Sequence, residues 1–204
     1  MKVAIVGGTG AFGRALATRL GEIGGDEVVI GSRDELRALA TAQELGVSGG
    51  INESVVADAD LVILAVKSNA TLQTAADLAA AIGTTPVLCV ASDLRFSEEG
   101  VLPGRHQGSL AEEVARIVRA PVASGLQSFA AANLLDGDPG DALVCGQEDR
   151  AKELALELAG RIANRAIDVG PLENSRALEG MTAVILNVNK RYRAHAGIRL
   201  TGLP

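Results

Sequence analysis

A chain of 204 residues that is 48% hydrophobic can bury a large core, which excludes an intrinsically disordered protein and predicts a single domain over residues 1–204. The net charge of −6 and the aromatic content of 2% argue against a nucleic-acid partner, because such a partner requires basic surface and rings on which bases stack. No apolar run approaches the length of a membrane span, and the first predicted strand begins at residue 2, which leaves no room for a signal peptide.

The cysteines and histidines show no pattern of a disulfide or a metal site. Cys89 and Cys145 each lie in an apolar stretch, so we expect buried, reduced thiols and a cytoplasmic protein. His106 and His195 are far apart in the sequence and belong to no Cys/His cluster. The sequence therefore predicts no metal.

The opening segment predicts a nucleotide site. Residues 2–6 read as a buried strand and residues 11–20 as a helix, and between them lies the spacing Gly8-x-Gly10-x-x-Gly13. This spacing is typical of a dinucleotide-binding βαβ unit, in which the glycines permit a tight turn, approach of a pyrophosphate and close helix packing. The predicted contacts are Gly8, Thr9, Gly10, Ala11, Phe12 and Gly13.

The second strand, residues 27–30, ends in a sequence that favours NADP over NAD. Ser32 and Arg33 stand where an NAD-binding site has an acid that accepts from the ribose 2′-hydroxyl. A hydroxyl and a guanidinium suit a 2′-phosphate instead, and Arg37, one helical turn later, can join them. The alternative is a helix that merely begins with Ser-Arg.

The rest of the chain alternates between strands and helices, which is typical of a doubly wound, mostly parallel α/β sheet of the Rossmann type. Further strands are predicted at 47–51, 60–66, 85–90, 121–124, 141–146 and ending near 168, helices at 34–45, 71–82, 108–118, 148–162 and 176–188, and loops at 93–107 and 130–139.

Residues that follow two of these strands are expected at the nucleotide crevice. Ala65, Val66 and Lys67 end the clearest buried strand, although Lys67 could also be a solvated loop residue and Asn69 a helix cap. Gln127 and Ser128 follow the strand 121–124 at the same edge.

The motifs together resemble the NADPH-dependent coenzyme F420 reductase family over the whole chain. They are Gly7-Gly8-Thr9-Gly10-x-x-Gly13, Gly31-Ser32-Arg33, Val144-Cys145-Gly146, Asp168-x-Gly170-Pro171-Leu172-x-Asn174-Ser175-Arg176, Leu186-Asn187 and Ala196-Gly197-Ile198-Arg199. The resemblance implies hydride transfer between NADPH and the deazaflavin ring of coenzyme F420. Because the two cofactors carry this chemistry, no catalytic acid or base is predicted.

The resemblance also implies a second-substrate site, with residues 171–204 as helices that cover the crevice. Its predicted members are Gln127, Ser128, Gly170, Pro171, Leu172, Arg191, Arg193, Ala196, Gly197 and Ile198. The basic tail after residue 189 suits the phosphate and glutamates of F420, or it is only a solvated helix face.

Two other functions remain open from the sequence. Leu64-Ala65-Val66-Lys67 also resembles pyrroline-carboxylate and imine reductases, but those enzymes need a long helical dimerisation domain that the residues after Arg176 cannot supply. A reductase of carbonyl or flavin substrates is a related alternative. The second function that remains open is a redox sensor that binds NADP without catalysis. The apolar helix 176–188 predicts a homodimer, because it has more apolar surface than one sheet face requires.

Overall fold

A computed structural model describes residues 1–104, 108–147 and 150–203. Parts of the predicted loop 93–107, helix 148–162 and tail 189–204 lie outside the described residues, as does His106. In the described ranges no helix has both the length and the apolar composition that crossing a membrane requires.

The elements follow one another in an alternating order. The strands are β1 (Lys2–Val6), β2 (Glu27–Ser32), β3 (Ser48–Ile51), β4 (Leu61–Leu64), β5 (Val87–Cys89), β6 (Leu94–Ser97), β7 (Gly100–Pro103), β8 (Val122–Gly125), β9 (Asp141–Gly146) and β10 (Arg165–Asp168). The α-helices are α1 (Ala11–Ile23), α2 (Glu35–Leu45), α3 (Asn52–Ala57), α4 (Ser68–Ile82), α5 (Leu110–Ile117), α6 (Ala131–Asp136), α7 (Arg150–Ile162) and α8 (Ser175–Tyr192).

The main sheet has eight strands in the order β10-β9-β8-β5-β4-β1-β2-β3. The run from β3 to β8 is parallel throughout and has the strand order of a doubly wound Rossmann sheet. Val3 pairs with both Val28 and Leu61, so β1 is central and parallel to β4, as the sequence predicted. Strand β9 pairs antiparallel with β8, and β10 then runs parallel to β9. The fold is therefore the predicted mostly parallel α/β sheet.

Two apolar layers cover the faces of this sheet. On one face, Ile5 of β1 packs with Leu16 of α1 and Leu158 of α7. On the other face, Val6 of β1 packs with Leu78 of α4 and Val114 of α5. A strand that is apolar on both faces forms because each face is covered by helices. This sandwich fixes the carboxyl edge of the strands, where the turns after β1, β2 and β4 lie.

Three segments differ from the prediction. The predicted loop 93–107 contains the antiparallel hairpin of β6 and β7, in which Phe96 pairs with Val101. The predicted loop 130–139 contains α6, which forms because Leu134 is buried in the core shared with α1. Helix α3 was not predicted, because six residues are too few to show a period. In each case a tertiary contact stabilises a short element.

Helix α8 is longer than predicted and begins differently. Neither Asn174 nor Ser175 caps the helix by accepting from its backbone: the Asn174 amide donates to the carbonyl oxygen of Val169 at 2.5 Å, and Ser175 Oγ donates to that of Leu172 at 2.5 Å. Helix α4 also begins earlier than predicted, so Asn69 lies inside it and does not cap it.

Helix α8 lies across β9 and reaches the hairpin. Leu178 packs with Leu143 and Cys145 of β9, and the amide of Asn187 donates to the carbonyl oxygen of Val101 in β7 at 2.7 Å. This path brings the middle of α8, around Thr182, to the carboxyl edge of the sheet.

Candidate nucleotide-binding crevice

The crevice lies at the carboxyl ends of β1 and β4, neighbouring strands from which the chain leaves toward opposite sides of the sheet. Ligands of doubly wound sheets bind at such a switch point. Gly7 follows β1 with a φ of +86°, and a Cβ there would lie 2.7 Å from the carbonyl oxygen of Ala65, just past β4. Position 7 therefore requires glycine both for its backbone angle and for space.

The other glycines of the turn bring α1 close to the sheet. A Cβ at Gly8 would lie 2.5 Å from Cβ of Ile30, and one at Gly13 would lie 2.8 Å from Cα of Gly8. Gly10 is the N-cap of α1 and offers its first turn no side-chain acceptor, so those amides are available to an anion. The predicted order of strand, glycine turn and helix is present, and the positive φ of the turn falls at Gly7.

A polar cavity of about 570 Å³ opens beside the turn. The predicted contacts that line it are Thr9, Gly10, Ser32, Arg33, Arg37, Ala65, Val66 and Lys67. Gly7, Asn52, Asn69, Ala70 and Thr74 complete the lining. Of the remaining predicted contacts, Gly8 and Gly13 are buried in the helix–strand packing, Ala11 is exposed, and Phe12 lines a second cavity. The structure thus gathers most of the predicted cofactor residues around one cavity.

The mouth of the polar cavity is basic. Ser32 Oγ accepts from the backbone of Asp34 at 3.1 Å, and Asp34 caps α2 by accepting from the backbone of Arg37 at 3.1 Å. The Arg37 guanidinium donates to the carbonyl oxygen of Thr9 at 3.5 Å, so it bridges the turns after β1 and β2. Arg33 is exposed and has no ion-pair partner among the described residues. An arginine that lines a cavity and forms no ion pair with an acidic side chain is suited to bind an anionic group.

An apolar cavity of about 230 Å³ adjoins the polar one, because Ala65 and Val66 line both. Its other lining residues are Phe12, Val90, Ala91, Ser92, Leu94, Leu126, Gln127, Phe129 and Thr182. None of these side chains is ionisable. Leu126 has a φ of +69°, which is rare for a leucine, and strained backbone of this kind is concentrated at ligand sites.

Gln127 is the main polar group of the apolar cavity. It is 6% exposed, and its amide nitrogen donates to the carbonyl oxygen of Cys89 at 3.2 Å and to Ser124 Oγ at 2.7 Å. Its Oε1 is buried and has no hydrogen-bond partner among the described residues. Thr182 Oγ1 donates to the carbonyl oxygen of Gln127 at 3.1 Å and lies 2.9 Å from Ser92 Oγ.

Glu179 ties α8 to backbone segments that lie next to the crevice. Its carboxyl group is buried and accepts from the backbone amides of Asp93 at 3.1 Å and Ala111 at 3.4 Å. Burial raises the pKa of Glu179 to about 7. One turn later on the same helix, Thr182 lines the apolar cavity, so Glu179 fixes the helix that supplies this wall.

Two other kinds of reactive site are a nucleophilic cysteine and a bound metal ion, and the described residues support neither. Burial raises the pKa of the Cys89 and Cys145 thiols to about 12, so neither is a thiolate near neutral pH. Among the described residues, no group of three or more His, Cys, Asp and Glu side chains is arranged to hold a metal ion.

The predicted second-substrate residues are dispersed. Gln127 lines the apolar cavity, but Ser128 is buried and its Oγ donates to the carbonyl oxygen of Asp141 at 3.4 Å. The amide of Gly146 donates to the carbonyl oxygen of Gly170, and Gly146 pairs with Ala123 near the amino end of β8. The loop of Gly170, Pro171 and Leu172 therefore lies toward the edge opposite the crevice. The reason is that β9 and β10 run against β8, which the sequence did not reveal.

The basic tail lies beside α6 and the start of β9. Arg191 and Arg193 are exposed at the end of α8, and residues 196–198 follow a segment in which Asn133 donates to the carbonyl oxygen of His195 at 2.8 Å. The amide of Asp141 donates to the carbonyl oxygen of Ile198 at 2.7 Å. None of these tail residues lines the polar or the apolar cavity.

Sequence reasoning missed Gly7, Asn52, Leu126, Ser92 and Thr182 as lining residues. Gly7 directly precedes the glycine motif and could have been included. Thr182 could not, because it reaches the crevice only through the packing of α8 on β9.

The glycine turn, the basic mouth and the adjoining apolar cavity define a Rossmann-type dinucleotide-binding protein with room for a second ring. Residues 2–91 match the family model described as NADP oxidoreductase, coenzyme F420-dependent. The chain is 36% identical to the F420-dependent NADP reductase of Methanothermobacter thermautotrophicus, over all of this chain and 96% of that protein. It therefore belongs to the F420-dependent NADP reductase family.

Two further comparisons agree with this family. The F420-dependent NADP reductase of Methanocaldococcus jannaschii is 34% identical, over all of this chain and 99% of that protein. The crystal structure of an Arthrobacter sp. FB24 protein assigned to the F420-dependent NADP reductases superposes with a TM-score of 0.83 and 27% identity, covering 98% of this chain and 99% of that one. The likeness thus extends to both sequence and fold.

Proposed function

We propose that the protein transfers a hydride between NADPH and the deazaflavin ring of coenzyme F420. The observation that carries this proposal is that a polar cavity, suited to a dinucleotide, adjoins an apolar cavity of about 230 Å³ at Ala65 and Val66, which line both. Its curated relatives are named for the same pair of substrates. The nicotinamide and the deazaflavin supply the redox chemistry when both are bound.

The residues of the polar cavity fit NADP. The free amides of α1 receive the pyrophosphate, and Arg33, with Ser32 beside it, receives the 2′-phosphate. Arg37 helps to hold the turn through Thr9. Gly7, at the junction of β1 and β4, lets the backbone lie close to the dinucleotide.

The residues of the apolar cavity serve to hold and orient the rings and take no chemical part in the transfer. Phe12, Val66 and Leu126 form walls that exclude water, and no ionisable side chain among the lining residues can donate or remove a proton. Holding two rings at short distance in fixed orientation supplies much of the acceleration in such reactions.

The basic end of α8 is proposed to receive the anionic side chain of F420. Arg191 and Arg193 are exposed and lie roughly 15 Å along the helix from Thr182, at about 1.5 Å per residue. An extended side chain with phosphate and glutamates can span this distance. Residues 171–204 would in this way serve the second substrate, within a chain of 204 residues that acts as one NADP-binding unit.

We also propose that the protein is a cytoplasmic homodimer. Cys89 and Cys145 are free and buried, in keeping with a reducing compartment. On α8 the side chains of Val184 and Tyr192 are 61% and 70% exposed, and Phe96 of the hairpin is 74% exposed. Exposed apolar side chains of this size favour association. Light scattering at micromolar concentration should give the mass of a dimer, and a monomeric mass would contradict the proposal.

The function is tested by an acceptor screen with the purified protein. NADPH oxidation is followed at equal concentrations of F420, FMN and 1-pyrroline, the last standing for imine substrates. The proposal predicts turnover with F420 that exceeds turnover with the other acceptors by at least 10-fold. Comparable turnover with 1-pyrroline would favour the imine-reductase alternative, which the named relatives do not favour. Tight NADPH binding without any turnover would favour the sensor.

A further inference from the structure

Asn52 is a buried polar residue of the polar cavity whose side chain has no hydrogen-bond partner among the described residues. It is 5% exposed, it lines the cavity, and its Oδ1 is buried without a hydrogen bond. Although it is the first residue of α3, the N-cap of that helix is Ile51, and no side chain caps the helix. Within the ranges that the structure describes, no hydrogen bond accounts for this amide.

The local backbone places Asn52 beside the residues proposed to bind the 2′-phosphate. Ser32 pairs with Ile51 across β2 and β3, so Asn52 lies next to the position at which Arg33 follows β2. Gly31 makes room for it, because a Cβ at Gly31 would lie 2.6 Å from Asn52 Oδ1. The absence of a side chain at position 31 thus lets the amide lie against β2, close to Ser32.

An unpaired buried amide is costly unless a ligand supplies its partners. Leaving one such group unsatisfied costs about 1–3 kcal/mol, and most buried side-chain polar groups in proteins are paired. The Asn52 side chain offers one acceptor and two donors. A capping role and a strand-pairing role are both excluded by the contacts above, which leaves the cavity as the place where partners are available.

We propose that Asn52 binds the adenosine ribose of NADP and contributes to the preference for the 2′-phosphate. This inference rests on the proposed NADP site. The amide nitrogen, for which the described residues offer no acceptor, donates to a 2′-phosphate oxygen. Asn52 thus contacts the ribose from the β3 side, while Arg33 contacts the phosphate from the mouth. A neutral amide suits a dianion here, whereas an acid would suit the 2′-hydroxyl of NAD.

The isosteric change Asn52→Asp tests the inference most sharply. The carboxylate has nearly the same shape but loses the donor and repels the 2′-phosphate. Isothermal titration calorimetry with NADP⁺ and NAD⁺ should show that Asn52→Asp weakens NADP⁺ binding at least 10-fold more than NAD⁺ binding. The control Gln43→Glu adds the same charge on the exposed face of α2, outside the cavity lining, and should leave both affinities unchanged.

The variant Asn52→Ala provides a second test if a buried carboxylate prevents folding, which a melting curve by circular dichroism will show. It should weaken NADP⁺ binding about 5-fold, the loss of roughly one hydrogen bond. An unchanged NADP⁺ affinity in Asn52→Ala, or an equal loss for both dinucleotides in a folded Asn52→Asp, would overturn the inference. If the unaltered protein itself fails to bind NADP⁺, the proposed function fails and not only the role of Asn52.

Discussion

Arg33→Ala tests whether the guanidinium at the mouth of the polar cavity distinguishes NADPH from NADH. The side chain is exposed and has no ion-pair partner among the described residues, so its removal should change stability by less than about 0.5 kcal/mol. The proposed contact of Arg33 with a 2′-phosphate would be a charge-assisted hydrogen bond, which contributes about 1.5–3 kcal/mol. The expected loss of NADPH affinity is therefore about 10- to 150-fold.

The assay is calorimetric titration of NADPH and NADH into both proteins at low and at high salt. NADH affinity should barely change, and the NADPH defect should shrink as salt screens the phosphate. Arg116→Ala is the matched control: Arg116 is an exposed arginine on α5 that lines neither cavity, so both affinities should be unchanged. Equal losses for NADPH and NADH in Arg33→Ala would refute the assignment of Arg33 to the 2′-phosphate.

Three further predictions concern the turn, the buried acid and the tail. Gly13→Ala places a Cβ against the carbonyl oxygen of Gly7 and should weaken NADPH binding at least 10-fold by titration. The folded-state pKa of Glu179 is above its unfolded value of 4.5, so its stabilising contribution should be lost as the pH rises through about 7. The unfolding free energy of the unaltered protein, relative to Glu179→Gln, should then fall by up to about 3 kcal/mol between pH 4.5 and 8. Replacing both Arg191 and Arg193 by Ala should raise the KM for F420 several-fold at low salt and leave the KM for NADPH unchanged.

Each of these has a contradicting result. Normal NADPH affinity in Gly13→Ala would mean that the turn does not hold the pyrophosphate. If the difference in unfolding free energy between the unaltered protein and Glu179→Gln does not vary with pH, the pKa of Glu179 is not raised in the folded protein. An unchanged KM for F420 in the doubly substituted protein would mean that Arg191 and Arg193 are only a solvated helix face.

The crevice could be predicted where local sequence determines it. The spacing of Gly8, Gly10 and Gly13 predicted the turn because close packing excludes a Cβ at two of these positions: it would lie 2.5 Å from Ile30 at Gly8 and directly against the carbonyl oxygen of Gly7 at Gly13. Gln127 could be placed at the crevice because it follows a buried parallel strand, and such strands end at a common edge.

The rest depends on contacts between distant segments. The reversal of β9 against β8 carries Gly170 toward the opposite edge, and nothing in the sequence of β9 indicates the direction of the strand. Asn52 and Thr182 are 130 residues apart in the chain, and each reaches the crevice through the packing of its own helix. Short elements such as α3 and the hairpin lack the length over which a period becomes visible.

The most direct test of hydride transfer is to follow the isotope itself. NADPH that carries deuterium at C4 of the nicotinamide, prepared as each of the two stereoisomers, is incubated with the protein and F420, and the reduced deazaflavin is analysed by mass spectrometry. Direct transfer in the crevice predicts deuterium in the reduced F420 from one stereoisomer only. Reduced F420 that contains no deuterium from either stereoisomer would contradict direct transfer, because the hydrogen would then have come from solvent.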